Sequence, residues 1–308
     1  MKYEDQGFIS ADDGTRLFYG VLGSGPVVVL SDGIGCDGFV WAYLQPALAE
    51  HYRVVHCHYR GHGRSGPPGD GGVGIARLAA DVSHVLDHLG IERAASLGHS
   101  MGTQVCLELY RRDPARIAGL GLLCGSYGHI THTFHGTNVL EQVLPKLLEM
   151  VGTRRGLARA IWGRVPFSVA FQFARAVGEV DSLAIREEDF RNYWNHIGLM
   201  EPGVFLETLH SAGDHSAEDL LPSINAPTLV VAAERDTFTP PALAREMSER
   251  IPNAEFLVLP GGSHAAPVEQ PKRTVGRVLD FLAKRVYPVP SLAQLESPPV
   301  RPPDSPSS

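Results

Sequence analysis

Apolar residues along the chain fall into two kinds of segment that alternate. Residues 26–32 (PVVVLSD), 53–59 (RVVHCHY), 117–124 (IAGLGLLC), 228–233 (TLVVAA) and 255–259 (EFLVL) are short and mostly apolar. Runs of that length predict strands buried on both faces of a sheet. Residues 95–98 (ASLG) continue the series, although small residues make a weak strand on propensity alone. The longer segments repeat at helical spacing. Residues 74–89 place Leu78, Val82, Val85 and Leu89 three and four apart, and 101–112 place Val105 and Leu109 likewise. With helical patterns at 241–251 and 271–286, the chain predicts βαβα alternation. That is the α/β class, a mostly parallel sheet with helices on both faces. Residues 8–20 read instead as a hairpin turning at Asp12-Asp13-Gly14.

The alternation stops after Cys124 and resumes at Thr228, an interval too long for a loop. Helical stretches are predicted there at 139–151, 153–165, 166–179, 187–199 and 203–212, with Pro166 suited to a helix N1 position. Trp162, Phe167, Phe171, Phe173, Tyr193 and Trp194 make this region aromatic. Such residues suit either a core of its own or a lid facing substrate. The chain therefore reads as a core over 1–130 and 219–287, a helical cap over 131–218, and a Pro- and Ser-rich tail over 288–308. The tail has too little apolar surface to offset its ordering entropy.

Composition narrows the function. The 308 residues carry a formal net charge of −7, which gains nothing from phosphate backbones, so no nucleic-acid partner is expected. No apolar run is long enough to cross a bilayer, and the first residues lack a secretory pattern. Cys36, Cys57, Cys106 and Cys124 stand singly in segments that read as buried, so reduced thiols and a cytoplasmic location are expected. The sequence carries no signal for an oligomeric state.

Gly98-His99-Ser100-Met101-Gly102 has the form G-x-S-x-G, a short pattern that also occurs by chance. Its setting is more specific, because it follows a strand and opens a helix as a nucleophile elbow does. Glycines two residues either side would leave room for a strained serine, and the helix N-terminus would favour developing negative charge. A hydroxyl needs a base. His264, in Pro260-Gly261-Gly262-Ser263-His264, lies just beyond the last strand. Asp236, in Glu234-Arg235-Asp236, lies beyond the strand before it and could fix the imidazole's tautomer. Glu234 competes but should point elsewhere if strand alternation persists, and no acid follows the strand ending near Leu123. Met101 N–H and, from the loop Ser31-Asp32-Gly33-Ile34-Gly35, the Ile34 N–H are the candidate oxyanion donors.

These motifs, with Arg60-Gly61-His62-Gly63-Arg64-Ser65, stand in the order seen in α/β-hydrolase fold enzymes, which the chain resembles over about residues 7–130 and 219–286. The resemblance implies an eight-stranded, mostly parallel sheet with a lid inserted after strand six. It also implies Ser100 as nucleophile, Asp236 as acid, His264 as base, and Ile34 and Met101 as oxyanion amides. One position departs from the pattern: Asp32 stands before Gly33 where the family often has His. An acid there could repel anionic substrates or bind a lid group.

Other chemistry is weaker. His129, His132 and His135 are spaced by three, but no carboxylate is suitably placed for a metal site. His56 and His58, flanking Cys57, read as satisfied polar groups near a sheet end. Residues 69–74 (GDGGVG) lack the Lys-Ser/Thr of a P-loop. No cofactor and no metal are expected. The leading expectation is a carboxylesterase-type serine hydrolase acting on a small to medium apolar ester through an acyl-enzyme. The same triad would serve a lactonase, a C–C bond hydrolase or a perhydrolase, and a non-catalytic binding protein on the same fold is the third alternative.

Overall fold

The computed structural model describes residues 1–131, 139–176 and 185–288, the side chains of Phe173 and Ala176 apart. Eight strands form one sheet: β1 (Asp5–Ser10), β2 (Arg16–Leu22), β3 (Val27–Ser31), β4 (Arg53–Cys57), β5 (Ala94–His99), β6 (Ile117–Leu123), β7 (Thr228–Ala233) and β8 (Ala254–Leu259). Their order is β1-β2-β4-β3-β5-β6-β7-β8. β2 runs antiparallel to β1 and to β4, and every other pair is parallel. The expected mostly parallel, eight-stranded α/β sheet is therefore present. The hairpin turns at residues 11–15, where Gly14 takes a positive φ.

Two apolar layers cover the faces. α2 (Ile75–His88), α3 (Met101–Arg112) and α9 (Pro241–Arg250) pack on one, against Val29, Val55, Leu120 and Leu122. α1 (Leu44–Ala49) and α11 (Pro271–Phe281) pack on the other, against Val28, Leu30, Val54 and Leu123. Adjacent residues of one strand thus enter opposite layers, which is why the strands read as continuous apolar runs.

Several boundaries differ from the sequence reading. β5 is longer than its weak propensity implied, because it lies centrally and pairs with both β3 and β6. α1 was not foreseen, being six residues long with Pro46 inside it. The last helix is α-helical only to Phe281 and continues as a π turn over Leu282–Val286. Tyr287 after it is anchored: its hydroxyl donates to the Val27 carbonyl at 2.6 Å and accepts the Ala95 N–H at 2.8 Å.

Among the described residues, five α-helices lie between β6 and β7: α4 (Val139–Thr153), α5 (Arg155–Ile161), α6 (Phe167–Ala176), α7 (Glu187–Leu199) and α8 (Pro202–Asp214). α5 stops four residues short of the expected end, at Trp162 and a Gly163 with positive φ. Pro166 precedes α6 rather than occupying N1, and its carbonyl accepts from Val169 and Ala170. The two passages between core and helices are tied together. His129 N–H donates to His215 O at 2.9 Å and Ala217 N–H to Tyr127 O at 2.8 Å. A further short helix, α10 (Ala266–Glu269), follows β8. The tail read over 288–308 lies outside the described residues except for Pro288. No helix among the described residues is long and apolar enough to cross a membrane.

Candidate active site

Ser100 joins β5 to α3 with φ 55° and ψ −123°, a conformation that L residues rarely adopt. Two glycines permit it. A Cβ on Gly98 would sit 2.2 Å from the Gly102 carbonyl oxygen, and a Cβ on Gly102 would sit 2.1 Å from the Ser31 carbonyl oxygen. α3 therefore starts in direct backbone contact with β3. Met101 is the first residue of α3, so its N–H has no acceptor within the helix and points from a positive dipole end.

His264 follows β8 and reaches back across the sheet edge. Its Nε2 lies 2.9 Å from Ser100 Oγ, and its Nδ1 lies 2.9 Å from Asp236 Oδ2. Asp236 is buried and fully engaged: Oδ1 accepts the N–H of Phe238 and of Thr239, both at 2.9 Å, and Oδ2 accepts the Thr239 hydroxyl at 2.8 Å. An acceptor-only carboxylate at Nδ1 places the imidazole proton there and leaves the Nε2 lone pair facing the serine hydroxyl. Glu234 points elsewhere, its carboxylate accepting the Gly261 N–H at 2.7 Å.

The loop after β3 is close to the serine. A Cβ on Gly33 would lie 3.1 Å from Ser100 Cβ, and Gly33 opens a turn closed by Cys36 N–H to Gly33 O at 3.3 Å. Ile34 is inside that turn. Asp32, expected to face substrate or a lid group, does neither. It is fully buried and holds Trp41 and His56. His58 is also less satisfied than expected: Nδ1 accepts from Arg64 N–H at 2.8 Å, but Nε2 has no partner among the described residues.

Some supports were missed in the sequence. Ser263 is clamped by Glu269, which accepts its hydroxyl and, at 2.9 Å, its N–H, so the residue before His264 is fixed. His99 donates Nε2–H to the His264 carbonyl at 3.1 Å, and burial pushes its pKa down to about 3, so it stays neutral beside the site. The Phe238 ring lies 4.8 Å from the His264 ring. The pattern S-x-x-x-x-x-E was the one available hint of the clamp, and it has no special status as a motif.

The aromatic residues between β6 and β7 pack largely on one another. Phe167, Phe171, Phe190 and Tyr193 form a continuous chain of ring contacts, ending on Phe39 of the core at 5.1 Å. Trp162 instead donates to the Ile197 carbonyl and meets Phe205. Ile197 and Phe205 lie beside Gly35, so α7 and α8 cover the loop that holds Ile34. A hollow between residues 37–42 and α7, lined by Asp37, Phe39, Asn192, Asn195 and His196, includes none of the three triad candidates. Of the spaced histidines, His132 and His135 lie outside the described residues, and His129 lies 3.3 Å from the Gly213 carbonyl. Among the described residues no group of three metal-ligating side chains is assembled. All four cysteines are buried and free.

The family model described as alpha/beta hydrolase fold matches residues 26–271. The chain belongs to the alpha/beta hydrolase fold family. Within it, the chain is 31% identical over 87% of its length to a protein of Variovorax paradoxus named "Putative carbamate hydrolase RutD", covering 96% of that protein. It is 27% identical over 83% of its length to the protein of the same name in a Caulobacter species, covering 90% of it. The enol-lactonase of Burkholderia xenovorans shares the fold, with a TM-score of 0.72 and 24% identity over 90% of this chain and all of the other.

Proposed function

We propose that the protein is a serine hydrolase that cleaves carboxylic esters, with Ser100 as nucleophile, His264 as general base and acid, and Asp236 orienting the imidazole. The observation that carries this reading is the pair of 2.9 Å contacts placing one imidazole between a strained serine and a buried carboxylate. As Ser100 Oγ bonds to the carbonyl carbon, His264 Nε2 takes its proton. The N–H groups of Ile34 and Met101 would receive the oxyanion. His264 then returns the proton to the leaving alkoxide, and water, activated by the same nitrogen, releases the acid from the acyl-enzyme.

Residues 131–218 would form the cap over this site, and its apolar helices favour a small to medium apolar acyl or alcohol group. The proton transfers need no cofactor. A second reading is hydrolysis of a carbamate, supported by the name of the 31% identical relative. A carbamate presents the same carbonyl carbon to the serine, so the triad would act unchanged.

Ser100→Ala should abolish turnover of a p-nitrophenyl ester and labelling by a fluorophosphonate while circular dichroism stays that of the parent. Turnover retained in that variant sinks the assignment. A panel of p-nitrophenyl esters, lactones and carbamates separates the bond classes, with esters expected to give the highest kcat/KM.

A further inference from the structure

Asp32, the position at which the chain departs from its family's pattern, has a full set of partners beneath the loop that holds Ile34. Its side chain is wholly buried. Oδ1 accepts the indole N–H of Trp41 at 2.8 Å, and Oδ2 accepts the His56 Nε2–H at 2.8 Å. Its main-chain carbonyl accepts the Tyr59 hydroxyl at 3.2 Å. A carboxylate oxygen accepts, so a proton sits on His56 Nε2, and His56 Nδ1 lies 2.7 Å from the Tyr3 hydroxyl.

The geometry of these bonds is specific to the loop. Asp32 precedes it and Trp41 follows it, so one carboxylate joins its two ends. His56 ties that junction to β4, opposite Leu30 of β3. Between the junctions the loop has few backbone bonds of its own, chiefly Cys36 N–H to Gly33 O and Trp41 N–H to Gly38 O. The Trp41 ring also meets His99 edge-on at 6.5 Å, and His99 holds the His264 carbonyl. The same anchor therefore adjoins both the loop and the main chain of the proposed base.

We propose that Asp32 is a positioning residue: through Trp41 and His56 it fixes the loop that presents the Ile34 N–H to the oxyanion. This rests on the serine-hydrolase reading. An amide aimed at the oxyanion gains strength as negative charge develops, so its displacement lowers kcat more than it changes substrate binding. A buried carboxylate with a purely structural role would lower melting temperature and leave each folded active site at full speed.

The test compares the full chain with Asp32→Ala, Asp32→Asn, Trp41→Phe and Ser100→Ala on p-nitrophenyl butyrate. Rates are divided by active sites titrated in the burst phase, and melting temperatures are recorded alongside. Loss of a whole oxyanion donor costs about 10²–10³ in kcat. Asp32→Ala should lose roughly 10- to 100-fold in kcat per titrated site, with KM within about threefold, and Trp41→Phe about tenfold. Asp32→Asn should recover most of the loss. Its oxygen still accepts from Trp41, and its amide can donate to His56 Nε2 once His56 carries its proton on Nδ1 and gives it to Tyr3. Unchanged kcat per titrated site in Asp32→Ala, or in Trp41→Phe should Asp32→Ala not fold, overturns the proposal. So does a rise in KM with kcat held, or an Asp32→Asn enzyme no faster than Asp32→Ala. Turnover by Ser100→Ala is a separate outcome, which defeats the serine-hydrolase reading itself.

Discussion

Replacing Asp236 by Asn would change a few atoms and should stop the enzyme. Asp236 Oδ1 accepts two backbone N–H groups, and Oδ2 accepts the Thr239 hydroxyl and His264 Nδ1. An asparagine must choose which side carries its NH2. Turned towards Phe238 and Thr239, the NH2 would face two donors in a buried site and lose two hydrogen bonds, at about 1–3 kcal/mol each. Turned towards His264, it keeps both of those bonds and can still donate to the Thr239 hydroxyl. The second orientation wins. The imidazole must then offer Nδ1 as an acceptor and carry its proton on Nε2, against Ser100 Oγ. The lone pair that takes the serine proton is gone. A wrong tautomer of this kind costs on the order of 10⁴ in kcat, or about 5.5 kcal/mol of barrier at 1.36 kcal/mol per factor of ten. Burst and steady-state rates on a p-nitrophenyl ester at neutral pH measure it, with circular dichroism to show the fold intact. A folded Asp236→Asn enzyme within about tenfold of the parent would refute the reasoning, since 10⁴ is expected. Glu234→Gln is the control. Its carboxylate serves the Gly261 N–H and not the imidazole, so its rate should stay within about threefold.

The remaining expectations concern stability. Gly102→Ala would drive a Cβ against the Ser31 and Asp32 carbonyl oxygens, at 2.1 and 2.7 Å, and should lower the melting temperature sharply or abolish soluble expression; a normal melting curve contradicts it. Arg60 is wholly buried, paired bidentately with Asp81 and, at 2.7 Å, with Asp13. Arg60→Met leaves the buried Asp81 carboxylate with only its longer, 3.8 Å contact to Arg77 and should cost about 3–5 kcal/mol in urea unfolding, much of it recovered in the double variant with Asp81→Leu. Burial pushes His58, His62 and His99 down to about 2, about 4 and about 3. Above pH 6.5 both folded and unfolded chains leave them neutral. Below it the unfolded chain takes up protons that the folded chain refuses, so stability falls until the folded values are reached. Between pH 7.5 and 5.5 the loss should be about 1.4 kcal/mol per histidine, and His62→Asn should remove about a third of it. Urea midpoints unchanged between those two values would count against the assignment.

The parts of the fold that were legible in the chain are those set by local pattern. The α3 and α7 limits and the β7 limits coincide with apolar periodicity, and the elbow's glycines were readable because backbone contact forbids any side chain there. What escaped depended on partners remote in sequence. β5 is Ala-Ala-Ser-Leu-Gly-His, a poor strand in isolation, and becomes one because two strands pair with it. Tyr287 stands at the edge of the Pro-rich tail with no local pattern to mark a role, yet its hydroxyl stitches β3 to β5 from 260 and 192 residues away. Asp32 read as an acid facing the pocket because loop sequence does not show which way a side chain turns. Trp41 and His56, which turn it inward, are 9 and 24 residues distant.

In the topology the proposed acid follows β7 and not β6. Ser100, Asp236 and His264 follow β5, β7 and β8, parallel strands whose carboxyl ends share one edge. β6 lies between β5 and β7, so an acid after it would be closer in strand order to the serine. The chain after β6 is packed against the turn at Ser100. Ser100 N–H donates to Leu123 O at 3.0 Å, which docks the elbow against the end of β6. Two residues on, a Cβ at Gly125 would lie 2.1 Å from Thr103 Oγ1 and 2.6 Å from the Ser100 carbonyl oxygen. The turn at Ser100 thus presses directly on the residues after β6 and requires a glycine at 125. After β7 the chain is one strand further out, free of that contact. Asp236 there collects two backbone N–H groups and a hydroxyl before it meets the imidazole. The strain at Ser100 and the location of its proposed acid, Asp236, then bear on one packing constraint.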